Sequence, residues 1–134
     1  MIFVDTGYFL GLISPGDDLA VRVAQWEMQI REPLLTSEFV WLELADALSS
    51  PRNRSIVRPF FSSLRQEKGI EIVSVSSALF EKGLRFYDAR NDKNWSLTDC
   101  ISFVLMQERG ISRALAFDHH FEQAGFEALL RREP

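Results

Sequence analysis

The chain has 134 residues, 46% of them apolar and 25% charged, with 15 Lys and Arg against 19 Asp and Glu for a net charge of -4. That length supports one domain with a real core, and the sparse Gly and Pro exclude a disordered or fibrous chain. The acidic balance excludes a uniformly basic surface, so any contact with a polyanion must use locally placed charge.

One cysteine, Cys100, cannot form an intramolecular disulfide and fits a reducing compartment. No basic leader, long apolar run or cleavage site precedes the first strand, which predicts a cytoplasmic protein with no membrane contact.

Ile2-Phe3-Val4 is a short apolar run bounded by Asp5-Thr6-Gly7, and it predicts a buried strand ending at Asp5. Tyr8 to Ile13 predicts a short helix stopped by Ser14-Pro15-Gly16. From Asp17 and Asp18 to about Arg31, Leu19, Val23, Trp26 and Ile30 recur at helical spacing, and Glu32-Pro33 ends the run. Leu34-Leu35-Thr36 is a second short strand. Ser37 caps a helix from Glu38 to about Ser49, whose apolar face includes Phe39, Val40, Leu42, Leu44, Ala47 and Leu48. Arg52 to Lys68 is helical in pattern, and Pro59 inside it predicts a kink or split near Arg58.

Ile70 to Val75 is the clearest strand, β-branched at four of its positions. Ser76 or Ser77 caps a helix over Ala78 to Ala89. The polar break from Arg90 to Asn94 follows, and Ser96 or Thr98 caps the next helix, which runs to Arg109 and stops at Gly110. Ser112 to Phe117 predicts a strand ending at Asp118, His119 to Gln123 a helical turn, and Phe126 to Leu130 a last strand. Strands alternate with helices, which predicts an α/β domain over residues 1–134. Its central, mostly parallel β-sheet would have four or five strands, with helices on both faces.

In such sheets the ligand crevice lies beyond the carboxyl ends of the strands, where strand order reverses. Asp5 and Asp118 end strands, and Asp99 begins a helix, where the dipole favours a carboxylate. Glu43 lies inside a helix among core-like neighbours. Each acid alone has an ordinary explanation as a turn, cap or solvated residue. Together, four carboxylates in one crevice would repel, and a hard divalent cation would relieve them. Mg²⁺ or Mn²⁺ suits oxygen-only ligation, and no Cys/His pair at zinc spacing competes.

Val4-Asp5-Thr6-Gly7, Leu35-Thr36-Ser37 with Leu42-Glu43-Leu44, Asp92 through Cys100, and Phe117-Asp118-His119-His120-Phe121 through Phe126 resemble the acid motifs of the PIN domain family. Within that family they look like the VapC-type toxins of prokaryotic toxin–antitoxin pairs. The resemblance covers nearly the whole chain and implies a Mg²⁺- or Mn²⁺-dependent endoribonuclease on a PIN fold. It implies a water activated by one or two ions, which Asp5, Glu43, Asp99 and Asp118 hold. Thr6, Ser37 and Thr98 are implied as polar groups beside those ligands, and a cognate antitoxin and a homodimer as partners. Asn94 departs from the pattern, because close relatives often carry an acid there, but Asp92 and Asp99 remain.

Arg52, Arg54, Arg58, Arg65 and Lys68, with Arg85, Arg90 and Lys93, admit two readings: a solvated helix face, or RNA phosphate contacts centred on Arg52, Arg54, Arg90 and Lys93. Phe39, Trp41, Phe60 and Phe61 are candidates for a groove that takes an antitoxin helix, or for core. His119 and His120 read as exposed residues on a short helix, beside the site rather than in it. A receiver domain would need an acid after the middle strand, which ends Ser74-Val75-Ser76. A haloacid-dehalogenase-type phosphatase would need a second acid just after Asp5. A non-catalytic PIN-like RNA-binding or scaffold protein stays open as the alternative, with all four acids against it.

Overall fold

A computed structural model describes residues 1–14 and 16–134. The expected stop at Ser14-Pro15-Gly16 falls partly on Pro15, outside the described residues. In order, the elements are β1 (Ile2–Val4), α1 (Thr6–Ile13), α2 (Asp18–Gln29), β2 (Leu34–Ser37), α3 (Glu38–Ala47), α4 (Arg54–Gln66), β3 (Ile70–Val73), α5 (Ser77–Ala89), α6 (Leu97–Arg109), β4 (Arg113–Leu115), α7 (His120–Gln123) and β5 (Glu127–Ala128). A 3-10 turn, Leu129–Arg131, follows.

The five strands form one parallel sheet in the order β3-β2-β1-β4-β5. All three residues of β1 are buried, without the alternation of a half-exposed strand, as expected for a parallel strand covered on both faces. Right-handed crossovers put the β1–β2 and β2–β3 helices on one face and the β3–β4 pair on the other. Strand order reverses between β1 and β4, so a crevice opens at their carboxyl ends.

Aromatic packing ties the elements around that crevice together. The fully buried Phe103 of α6 meets Trp95, Phe121 and Phe126 at ring distances of 5.1, 4.9 and 5.7 Å, and Phe121 lies 6.4 Å from Phe3 of β1. Gly83 of α5 lets Ile101 of α6 approach so closely that a Cβ there would collide with the Ile101 side chain. Gly110 ends α6 in the left-handed region, at φ 66°, which an L side chain rarely adopts.

Several expectations need correction. The split at Pro59 does not occur, because α4 runs through it. The bond that Pro59 cannot donate would go to the carbonyl of Ser55, whose exposed position leaves that oxygen to water. Leu42 is 60% exposed rather than core, pointing away from the buried side of α3 that carries Val40, Trp41 and Leu44. Of the four groove-or-core candidates, Trp41 is buried and stacks on Phe61 at 4.3 Å, and the half-buried Phe60 packs edge-on against Phe9, so these rings join the core; Phe39 is half-buried, 6.5 Å from the exposed Phe80. The last strand is shorter than Phe126 to Leu130. Pairing with β4 ends at Ala128, and the chain then turns into the 3-10 turn, in which Leu129 and Leu130 are both buried.

Candidate active site

Asp5 follows β1 at the N-cap position of α1, in extended conformation, yet its side chain makes no capping bond. Its carboxylate is therefore free to face the crevice. It is 8% exposed. Burial pushes its pKa up to about 8, and the charges of Asp99, Glu43 and Asp118 push the same way, against the Thr6 amide. The four sequence-identified acids thus share one crevice, and Asp5 feels the other three.

Glu43 reaches the crevice from the second turn of α3. The buried Thr6 hydroxyl donates to its Oε1 at 2.6 Å, fixing one carboxylate oxygen beside Asp5. Asp99 belongs to a capping box. Ser96, not Thr98, is the N-cap: its Oγ accepts from the Asp99 amide at 3.0 Å, and Asp99 Oδ2 accepts from the Ser96 amide at 3.2 Å. Burial raises the Asp99 pKa and Asp118 adds to it, while hydrogen bonds from His120 and Ser96 oppose the rise. Asp118 lies three residues past β4, in a turn where its Oδ1 accepts from the His120 amide at 3.0 Å.

The residues expected beside the acids divide. Thr6 is engaged with Glu43. Ser37 is fully buried, and its Oγ caps α3 by accepting from the Val40 amide at 3.2 Å. Thr98 is half-buried, and among the described residues no hydrogen bond links its side chain to the acids. The basic candidates also divide. Arg90 binds Asp92 through two nitrogens at 3.1 and 3.3 Å and lies over the Trp95 ring, and Lys93 is 3.8 Å from Asp92. Arg52 is exposed, and Arg54 donates to the Ser49 carbonyl at 3.1 Å.

His120 corrects the reading that put it outside the site. Its side chain is 17% exposed, and its Nδ1 lies 3.0 Å from Asp99 Oδ2 and 3.2 Å from Asp118 Oδ2. His119 is exposed, with Nδ1 3.4 Å from Asp118 Oδ1. The spacing Asp118-x-His120 carries a local signal: an aspartate that accepts from the amide two residues on makes a tight turn, which keeps residue 120 close to the acid.

A family model described as the PIN domain matches residues 2–127. The 23S rRNA-specific endonuclease VapC20 of Mycobacterium tuberculosis is 28% identical over 127 residues, covering 94% of this chain and 95% of that protein. A crystal structure of M. tuberculosis VapC20, described as a sarcin-ricin loop cleaving toxin, shares the fold with a TM-score of 0.87 at 24% identity, covering all of both chains. FitAcB from Neisseria gonorrhoeae shares it at a TM-score of 0.65 and 16% identity, over 95% of each chain. With a family match across nearly its whole length, on a parallel sheet that brings the motif acids to one crevice, the chain belongs to the PIN domain family.

Proposed function

We propose that this protein is a Mg²⁺- or Mn²⁺-dependent endoribonuclease of the VapC kind, the toxin of a toxin–antitoxin pair. The observation that carries the reading is Asp5: a buried carboxylate whose pKa is raised by burial and further by the charges of Asp99, Glu43 and Asp118. Such a cluster is costly without a balancing cation.

The donor set fits a hard divalent ion. Asp5, Glu43, Asp99 and Asp118 offer only oxygens, and the nearby Cys100 thiol is buried with its pKa pushed up to about 11, so it offers no thiolate. Those four residues would hold one or two ions. When bound, the metal supplies Lewis acidity toward a phosphate oxygen and lowers the pKa of a water. The chain's own residues preorganise the rest. Thr6 aims Glu43, the capping box fixes Asp99 on the rigid start of α6, and the Phe103 cluster locks that start against β1 and α7. Arg52, Arg54, Arg90 and Lys93 contact RNA phosphates and position the strand without reading its sequence.

The similarity to VapC20 makes 23S ribosomal RNA, at its sarcin-ricin loop, the substrate to test first. A cytoplasmic setting, an antitoxin protein and a homodimer belong to the same reading. Among the described residues, no helix is long and apolar enough to cross a membrane. The test is incubation of the purified protein with ribosomal RNA in Mg²⁺ or Mn²⁺, followed by mapping of the ends. Cleavage at a discrete site, abolished by EDTA, is expected. RNA that is bound but never cut would instead establish the non-catalytic alternative.

A further inference from the structure

We propose that His120 is a positioning residue that sets Asp99 and Asp118 in the orientation that accepts a divalent cation. This rests on the metal-dependent reading above. Both atoms facing Nδ1 are carboxylate oxygens, Asp99 Oδ2 at 3.0 Å and Asp118 Oδ2 at 3.2 Å. With both acids ionised neither oxygen can donate, so Nδ1 is the donor: it is hydrogen-bonded to Asp99 Oδ2 and faces Asp118 Oδ2.

The consequence lies in which oxygens remain. Asp99 Oδ2 already accepts from the Ser96 amide, and the His120 bond completes its use. Asp99 Oδ1 has no hydrogen bond among the described residues and is the oxygen left for a cation. Asp118 is held at both ends by one residue: Oδ1 accepts from the His120 amide at 3.0 Å and Oδ2 faces the His120 ring. His120 thus spans two acids that come from different elements, 19 positions apart, and fixes the rotation of each about its χ2.

The ring is itself held. It is mostly buried, and the next residue, Phe121, is fully buried edge-on to Phe103 at 4.9 Å. Phe103 sits one turn beyond Asp99 on α6, so the packing that places the imidazole also places the acid it orients. Groups that hold carboxylate ligands in this way change metal affinity by roughly 10- to 100-fold when removed.

The experiment compares the parent with His120→Ala, His120→Asn and His120→Gln. Each is titrated with Mn²⁺ by calorimetry, with a metal-free melt of every variant. Asn can put an amide N–H near the position of Nδ1, whereas Gln carries it one bond further out. His120→Ala and His120→Gln should bind Mn²⁺ about 10- to 100-fold more weakly. His120→Asn should recover most of the loss. A merely structural role would follow the melting temperature instead of this pattern. The Asn–Gln contrast decides the point even where the alanine variant melts early. Affinity for His120→Ala equal to the parent's, or His120→Asn no tighter than His120→Gln, overturns the inference while leaving the metal reading standing. A parent that binds no Mn²⁺ overturns both.

Discussion

Asp5→Asn should stabilise the metal-free protein at alkaline pH, even as it removes a proposed metal ligand. The carboxyl is buried, and its pKa stands at about 8 against an ordinary 3.8. Between those values the folded protein keeps a proton on Asp5 that the unfolded chain has released. The folded state therefore binds more protons, and stability falls as pH rises through the window. The full shift corresponds to at most about 6 kcal/mol at ~1.4 kcal/mol per unit. Glu43, Asp99 and Asp118 share the repulsion, and relaxation of the crevice takes part of it, so about 2–4 kcal/mol is expected at pH ~8.5. For a chain of this size that is a rise of roughly 5–15 °C in melting temperature. The assay is a set of thermal melts in EDTA from about pH 5 to about pH 8.5, parent against Asp5→Asn. The parent should lose stability across the range, and the variant should lose much less. Equal slopes, or a variant less stable than the parent at the alkaline end, would refute the picture of Asp5 as a carboxylate strained by burial and by its neighbours.

Three further outcomes bear on Thr6, Phe103 and Cys100. Thr6→Val removes the donor that fixes Glu43 at nearly constant volume, so cleavage should fall by about 10- to 100-fold while the metal-free melt moves little. A variant with full activity would show that the bond does not orient Glu43. Phe103→Ala opens a cavity at the centre of the aromatic cluster and should cost about 3–5 kcal/mol in denaturant unfolding. A loss under about 1 kcal/mol would mean that the cluster does not hold the crevice together. The Cys100 thiol is buried, with its pKa pushed up to about 11 by that burial and by Asp99. Native protein should therefore resist iodoacetamide at neutral pH and react only after unfolding. Rapid native alkylation would contradict that placement.

Much of the fold was legible because its signals are local. Ser37, Ser76 and Gly110 punctuate helices through chemistry confined to a few neighbouring residues, and each acts where the sequence puts it. The buried run Ile2-Phe3-Val4 and the alternation of strands with helices foretold a parallel sheet. The convergence of Asp5, Asp99 and Asp118 followed from the rule that strand ends meet at the switch point. Other features depend on contacts that no spacing reveals. Trp41 was a candidate for an open groove, and only the stacking of Phe61 from α4 shows that it is interior. Leu42 carries the same hydropathy as Leu44, but the rotation of α3 exposes one and buries the other. Ser96 and Thr98 are equivalent caps by composition, and the reciprocal bond with Asp99 distinguishes them. His120 was set aside because a short helix suggests exposure, whereas the turn made by Asp118 folds its ring back between two acids.

On the proposed function, Asp5, Glu43, Asp99 and Asp118 act together as one metal-dependent cutting site. The most direct measurement is single-turnover cleavage of ribosomal RNA in Mn²⁺ by the parent and by Asp99→Asn, with binding of the same RNA measured in parallel. Asp99→Asn keeps an oxygen acceptor for the Ser96 amide but removes the charge. The cleavage rate should fall at least about 100-fold, with RNA affinity nearly unchanged. A variant that cuts at the parent's rate would contradict it.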